Sequence, residues 1–227
     1  MPKPTFSNLP PAKRQVIIDL ALAEFAEHPY GIASLSRIVT RAGIAKGSIY
    51  QYFENKQDLY LFILDYAAQQ QFQLLHAQTL PAPEVGFFAL LRRQMHASIQ
   101  VGLAAPLLTR LMYRAVTDDL PFRDEVVRRL QTAGEGHLQA LLARGVEHGE
   151  INPELDLELA TVVLQGVMAK LHELIVRRLG TTLEAAASDV SIMSGPAVEQ
   201  LYDQIIRILQ FGLGGPDMPA LLSGDRP

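Results

Sequence analysis

Apolar residues along this chain recur at three- and four-residue intervals almost throughout, and no stretch alternates apolar and polar residues at period two. The pattern predicts an all-α protein. After Pro10-Pro11, a helix-start signal, Ile17, Leu20, Ala21 and Phe25 mark one face of a first helix. Pro29 ends it, because a residue before proline is pushed out of the α region. A short second helix starts near Ser34, with Leu35, Ile38, Val39 and Ala42 at i, i+3, i+4 and i+7. Gly43 breaks the chain, and a third short helix runs from about Lys46 to Phe53. Asn55 is placed to cap a long fourth helix, whose stripe is Leu59, Phe62, Ile63 and Tyr66.

Beyond this point the helices lengthen. Pro81 and Pro83 open one reaching about Val101, Pro106 another through Val116, and Pro121 a third to about His148. The acidic turn GEINPELD precedes a long helix from about Leu155 to Leu179. A looser stretch, GTTLEAAASDVSIMSGP, leads to a last helix from Pro196 to Leu213. The expected organisation is a three-helix head over 9–60, a larger helical body over 61–214, and flexible tails at 1–8 and 215–227.

Composition narrows the classes. Hydrophobic residues are 48% of the chain, enough for a buried core, and cysteine is absent, which excludes disulfides and thiolate metal sites. No apolar run reaches the roughly 18 residues that span a bilayer, and the N-terminus lacks a secretion signal's apolar core. The expectation is a cytoplasmic protein without a membrane partner. The net charge of −4 conceals an asymmetry. Residues 1–60 carry seven Lys and Arg against five Asp and Glu, so the head is mildly basic on an acidic body.

Two short helices joined through a glycine turn have the form of a helix-turn-helix, whose second helix enters the DNA major groove. At 100° per residue, Ile49 and Phe53 fall on one side of the third helix and must face the core. Gly47 and Gln51 then point outward, flanked by Ser48 and Tyr50. Gln suits a bidentate bond to adenine, hydroxyls suit bases or phosphates, and a glycine lets the backbone approach the duplex. Lys46 and Lys56 stand at helix starts, where lysine and helix dipole both attract phosphate. On the second helix Ser34, Ser36, Arg37, Thr40 and Arg41 stay off the apolar stripe, available to the backbone or groove edge.

The run FAEHPYGIASLSRIVTRAGIAKGSIYQYFENKQDLYLFIL resembles the DNA-binding head of the TetR/AcrR family of transcriptional regulators. The resemblance is carried by Phe25, Tyr30, Ile38, Ala42-Gly43-Ile44, Lys46-Gly47-Ser48-Ile49-Tyr50, Tyr52-Phe53 and Lys56-Gln57-Asp58-Leu59. It implies a bacterial, homodimeric repressor that binds a palindromic operator on double-stranded DNA and leaves it when a small-molecule effector binds the body. By position it implies DNA contacts from Lys46, Gly47, Ser48, Tyr50, Gln51, Tyr52 and Lys56, with Tyr50 and Lys56 on phosphate. Three positions depart from the family pattern. Ala45 stands where a capping Ser is frequent, Pro29 where a Gly usually follows the first helix, and Tyr52 where His is common. Without that cap the recognition helix should start weakly.

The last two helices suit a four-helix interface with a symmetry mate, and Leu164, Met168, Leu171, Ile175, Leu201, Ile205 and Leu209 are its candidates; packing in the chain's own core is the competing role for each. For a ligand site the body offers Phe88, Met95, Met112, Tyr113 and Phe122, for which core packing is the more common role. Scattered histidines, no HExxH, no GxSxG and no phosphate loop argue against an enzyme, and nothing calls for a cofactor or a metal. The competing class is a helical dimeric scaffold that keeps the head without specific DNA affinity.

Overall fold

The computed structural model describes the backbone of residues 1–78, 85–181 and 195–212, and their side chains except at 131–135, 137, 169, 172 and 173. Among the described residues there are ten helices and no strand. They are α1 (Pro4–Ser7), α2 (Pro11–Glu27), α3 (Leu35–Arg41), α4 (Ser48–Tyr52), α5 (Lys56–Gln78), α6 (Phe87–Ala104), α7 (Pro106–Thr117), α8 (Arg123–Glu147), α9 (Leu157–Arg178) and α10 (Pro196–Phe211). Proline starts α1, α2, α7 and α10, and extended His28 before Pro29 closes α2. Asn55 Oδ1 accepts from Asp58 N–H at 2.9 Å and caps α5. Pro81, Pro83, the stretch 182–194 and the C-terminal tail lie outside the described residues.

One expectation fails at the N-terminus. The first eight residues, read as a tail, include α1, and Phe6 is 1% exposed. Its ring packs 4.8 Å from Phe53 and 5.5 Å from Phe62, centroid to centroid. A single turn carrying one apolar side chain offers no periodicity, which is why the spacing misses it.

Buried side chains form two clusters. The first gathers Ile17 and Phe25 of α2, Ile38 of α3, Ile49 of α4 and Leu59 and Ile63 of α5. It also takes Leu111 and Ala115 of α7 and Val126 of α8, because α7 lies against both α2 and α5. The second joins Leu91, Met95 and Ile99 of α6 to Leu142 of α8, Leu171 of α9 and Tyr202 of α10. The long α5 passes residue 60 without a break.

Polar ties lock these helices at their ends. Both Glu150 carboxylate oxygens accept from Phe87 N–H at 2.8 Å, capping α6 from 63 residues away. Gly86 makes room for it: a Cβ there would sit 2.6 Å from the carboxylate. Arg92 of α6 bonds Glu199 and Asp203 of α10 at 2.6 and 2.8 Å. Arg114 Nε of α7 donates to Ala26 O at 2.9 Å, at the C-terminal end of α2, where a cation opposes the helix dipole favourably.

Candidate nucleic-acid interface

The interface is built from α2 outward. Glu24, an acid on the apolar face of α2, is only 2% exposed. Its carboxylate accepts from Ser34 N–H at 2.7 Å, Arg37 Nε at 2.9 Å and Arg37 Nη2 at 2.5 Å, while Arg37 Nη2 also donates to Ile32 O at 3.0 Å. This fixes the start of α3 against α2. Ser34 Oγ accepts from Arg37 N–H at 3.4 Å and caps α3. At the other end Gly43, with φ +64°, donates its N–H to Thr40 O, and Ile44 N–H reaches Val39 O. This paired closure needs a left-handed residue, which glycine supplies without a Cβ clash.

Burial works to raise the Glu24 carboxyl, but the Arg37 and Ser34 hydrogen bonds and the guanidinium charge hold it below its ordinary 4.5. A depressed carboxylate stabilises the fold at pH above the unfolded value and loses that contribution as pH falls through the folded one. The urea midpoint of the head should therefore drop as pH goes from about 6 to about 4. In Glu24→Gln the drop should be shallower, as unfolding by tyrosine fluorescence will show.

From Gly43 the chain turns into α4, which starts two residues later than its sequence suggests. Gly47 occupies the N-cap without a side-chain hydrogen bond, and Ser48 N–H closes a turn onto Ala45 O at 2.8 Å. Residues 45–47 thus form a turn and not the first turn of the helix, and Ala45 has no hydroxyl with which to cap it. The phase of α4 agrees with the spacing. Ile49 and Phe53 are buried, while Gly47, Tyr50 and Gln51 are exposed.

The ten candidate residues divide into two groups. Ser36, Lys46, Gly47, Tyr50 and Gln51 are exposed and Ser48 is half-buried. The other four are engaged in holding the head. Ser34 caps α3, Arg37 is bound to Glu24, and Tyr52 is buried with its ring 5.8 Å from Phe6. Lys56 Nζ donates to Tyr30 O at 2.6 Å and Ala33 O at 3.0 Å, and lies 4.4 Å from the centre of the Tyr30 ring. The spacing overlooked Glu24, although an acid at i+7 from Ile17 and i+3 from Ala21 is a legible signal of a buried carboxylate.

The body candidates are scattered. Met95 is fully buried and Phe88 half-buried in the second cluster. Phe122 and Met112 belong to the first, where the Phe122 ring meets Tyr30 and Tyr60 edge-on at 4.9 and 5.6 Å. Tyr113 is exposed. Of the interface candidates, Leu164, Leu171, Ile175 and Leu201 are buried inside the chain's own second cluster, and Met168, Ile205 and Leu209 pack partly against it. Different side chains face outward from the same helices: Leu159, Val162 and Val163 of α9, with Val162 59% exposed, and Ile208 and Phe211 of α10. Between α9 and α10 runs an open apolar groove of about 420 Å³ lined by Val167, Leu171, Leu174, Ile205, Ile208 and Leu209, with Lys170 and Arg177 at its edge. Among the described residues no group of acids and histidines is arranged to hold a metal, and no helix is long and apolar enough to cross a membrane.

Comparison with known proteins agrees with this geometry. Residues 17–62, which span α2 to α5, match the family of bacterial regulatory proteins, tetR family. A crystal structure of a TetR family transcriptional regulator from Chloroflexus aurantiacus J-10-fl is 35% identical, with a TM-score of 0.67 over 93% of this chain and 98% of that one. The fatty acid metabolism regulator protein of Bacillus subtilis is 29% identical over 162 residues, covering 69% of this chain and 79% of that protein. The probable acrEF/envCD operon repressor of Escherichia coli K12 is 26% identical over 161 residues, covering 69% and 72%. A helix-turn-helix that exposes Lys46, Tyr50 and Gln51, on a helical body matched along nearly its whole length, makes this chain a DNA-binding transcriptional regulator of the TetR family.

Proposed function

We propose that the chain is a homodimeric repressor that holds a palindromic operator through α3 and α4 and releases it when a small molecule binds its body. The observation that carries the DNA side is the phase of α4. Ile49 and Phe53 anchor it inward, which presents Gln51 to base edges and Tyr50 to phosphates, while exposed Lys46 in the preceding turn is a further phosphate contact. Ser36 and Ser48 extend the contact, and Gly47 admits the backbone. Arg37, Tyr52 and Lys56 serve chiefly by holding α3 and α4 in place, and any phosphate contact they make comes from their outer edges. The head so formed corresponds to about 9–60 together with α1, and the body to about 61–214.

Dimerisation is assigned to the outward apolar face of α9 and α10, led by Val162, Val163, Ile208 and Phe211, because no other described residue covers those side chains. Met168, Ile205 and Leu209 border that face. Repression follows the Escherichia coli relative, named an operon repressor. The effector is read as predominantly apolar, since the Bacillus subtilis relative is named for fatty acid metabolism and the second cluster around Phe88 and Met95 is almost wholly hydrocarbon. Its signal reaches the head through α5 and through α7, whose Arg114 holds the end of α2. A coupling of about 1–3 kcal/mol would change operator occupancy 5–150-fold.

The test is selection of duplexes from a random pool by the full chain, repeated with two variants. Gln51→Ala should lose the base preference at one position in each half-site, at a cost of about 1–3 kcal/mol for the preferred base. Lys46→Ala should weaken selected and random duplexes alike and lower the salt slope by about one. Unchanged sequence preference in Gln51→Ala would show that α4 is not the reading helix.

A further inference from the structure

At five residues, α4 is far below the length at which a helix stands alone in water. Its N-cap, Gly47, has no side chain with which to cap it. At its other end Ile49 O takes the Phe53 N–H at 2.8 Å, and the next three carbonyls, those of Tyr50, Gln51 and Tyr52, lie beyond the last intrahelical bond. Each of the three is met by the segment that precedes α2. Lys3 Nζ donates to Tyr50 O at 3.0 Å, the Thr5 hydroxyl donates to Gln51 O, and Lys3 N–H donates to Tyr52 O at 2.8 Å.

Charge and packing add to this match. The Lys3 ammonium sits at the negative end of the α4 dipole, where a cation is favoured. Phe6 fills the space behind, with its ring 5.8 Å from Tyr52 and 4.8 Å from Phe53. The segment is closed by a turn of its own, Phe6 N–H donating to Lys3 O at 2.9 Å, and is tied to α2 where Arg14 Nη1 donates to Ser7 O at 2.9 Å. Three successive orphan carbonyls with three partners from one short segment amount to a built C-terminal cap.

We infer that Lys3, Thr5 and Phe6 are positioning residues for DNA recognition, which hold the C-terminal end of α4 and thereby set the direction of Tyr50 and Gln51. They act through α4 and not by touching the duplex. The inference rests on α4 being the reading helix, but its structural half can be measured without DNA.

The experiment uses the full chain with Lys3→Ala and Thr5→Val together, beside Lys3→Arg with Thr5→Ser, which keep the charge and the hydroxyl. Phe6→Ala is avoided as the main variant because its buried ring also supports the head's fold. Hydrogen exchange of the peptide covering residues 48–53 should become roughly tenfold faster in the first variant, on the scale of two lost hydrogen bonds. Core peptides of α2 and α5 should be unchanged, and the conservative pair should restore protection. Affinity for a duplex selected by the wild-type chain should fall roughly tenfold with the salt slope intact. Unaltered exchange in α4 would overturn the inference. So would a salt slope lowered by about one without faster exchange, since Lys3 would then be a direct phosphate contact. If the wild-type chain selects no duplex at all, the DNA-reading assignment of α4 falls, and the exchange result alone decides whether the segment holds the helix.

Discussion

Val162→Asp is expected to yield a folded monomer whose affinity for a palindromic operator falls by roughly 100-fold or more, because two linked heads gain that much from binding together. Val162 is exposed on α9, so a carboxylate there costs the isolated chain little. In a dimer it would be buried opposite an apolar face, and an unpaired charge in such a place is strongly destabilising. Leu171→Asp is the control. Leu171 is 1% exposed within the second cluster, so a charge there should unfold the body and not merely separate protomers. Sedimentation of both variants, with circular dichroism, separates these outcomes. A Val162→Asp protein that stays dimeric would move the interface elsewhere.

Phe122→Ala should cost about 3–5 kcal/mol, the usual range for removing a buried phenylalanine ring. The ring lies just before α8, yet its edge-on partners Tyr30 and Tyr60 belong to the head, and Tyr60 in turn meets Phe25 at 5.0 Å. Burial pushes the Tyr60 hydroxyl well above its ordinary 10, with Asp118 adding to the effect, as expected of a ring sealed inside this cluster. Loss of Phe122 should therefore destabilise α2 and α5 by hydrogen exchange, far along the chain from the substitution. Urea unfolding measures the magnitude. A loss below about 1 kcal/mol would mean that the ring is a replaceable pocket lining, contrary to its place in the head's core.

That contrast shows what periodicity can convey. The 3.6-residue spacing assigns Ile49 and Phe53 to the core and Gln51 to the surface correctly, because a short amphipathic helix has one inward direction. It places α2, α3, α7 and α9 and the start of α5 within a residue or two, and prolines, Ser34, Gly43 and Asn55 mark several of those ends with local chemistry. Partners distant in sequence are another matter. Nothing near Phe122 indicates that it joins the head, and nothing near Glu150 indicates that it caps α6. Helices apolar on several faces cannot reveal which face meets the chain's own core. The spacing therefore leaves Leu171 and Ile175 open between an interface and the chain's own core; they are buried in the second cluster, whereas Leu159, Val162 and Val163 point outward. Charge alone points Arg37 and Lys56 toward DNA, but buried Glu24 and the carbonyls of Tyr30 and Ala33 engage them. The short α1 is invisible to spacing, and its meaning lies in the carbonyls it meets.

A dimer of this chain should grip DNA through several phosphates while α4 reads bases. Equilibrium binding of the full chain to the duplex upstream of its own gene, measured between about 50 and 200 mM salt beside a scrambled duplex, tests it most directly. With six or more phosphate contacts per dimer, affinity for the upstream duplex should fall by about a thousandfold or more across that range, and should exceed that for the scrambled duplex throughout. A flat response that does not distinguish the two duplexes would mean that this chain neither grips phosphates nor reads bases there.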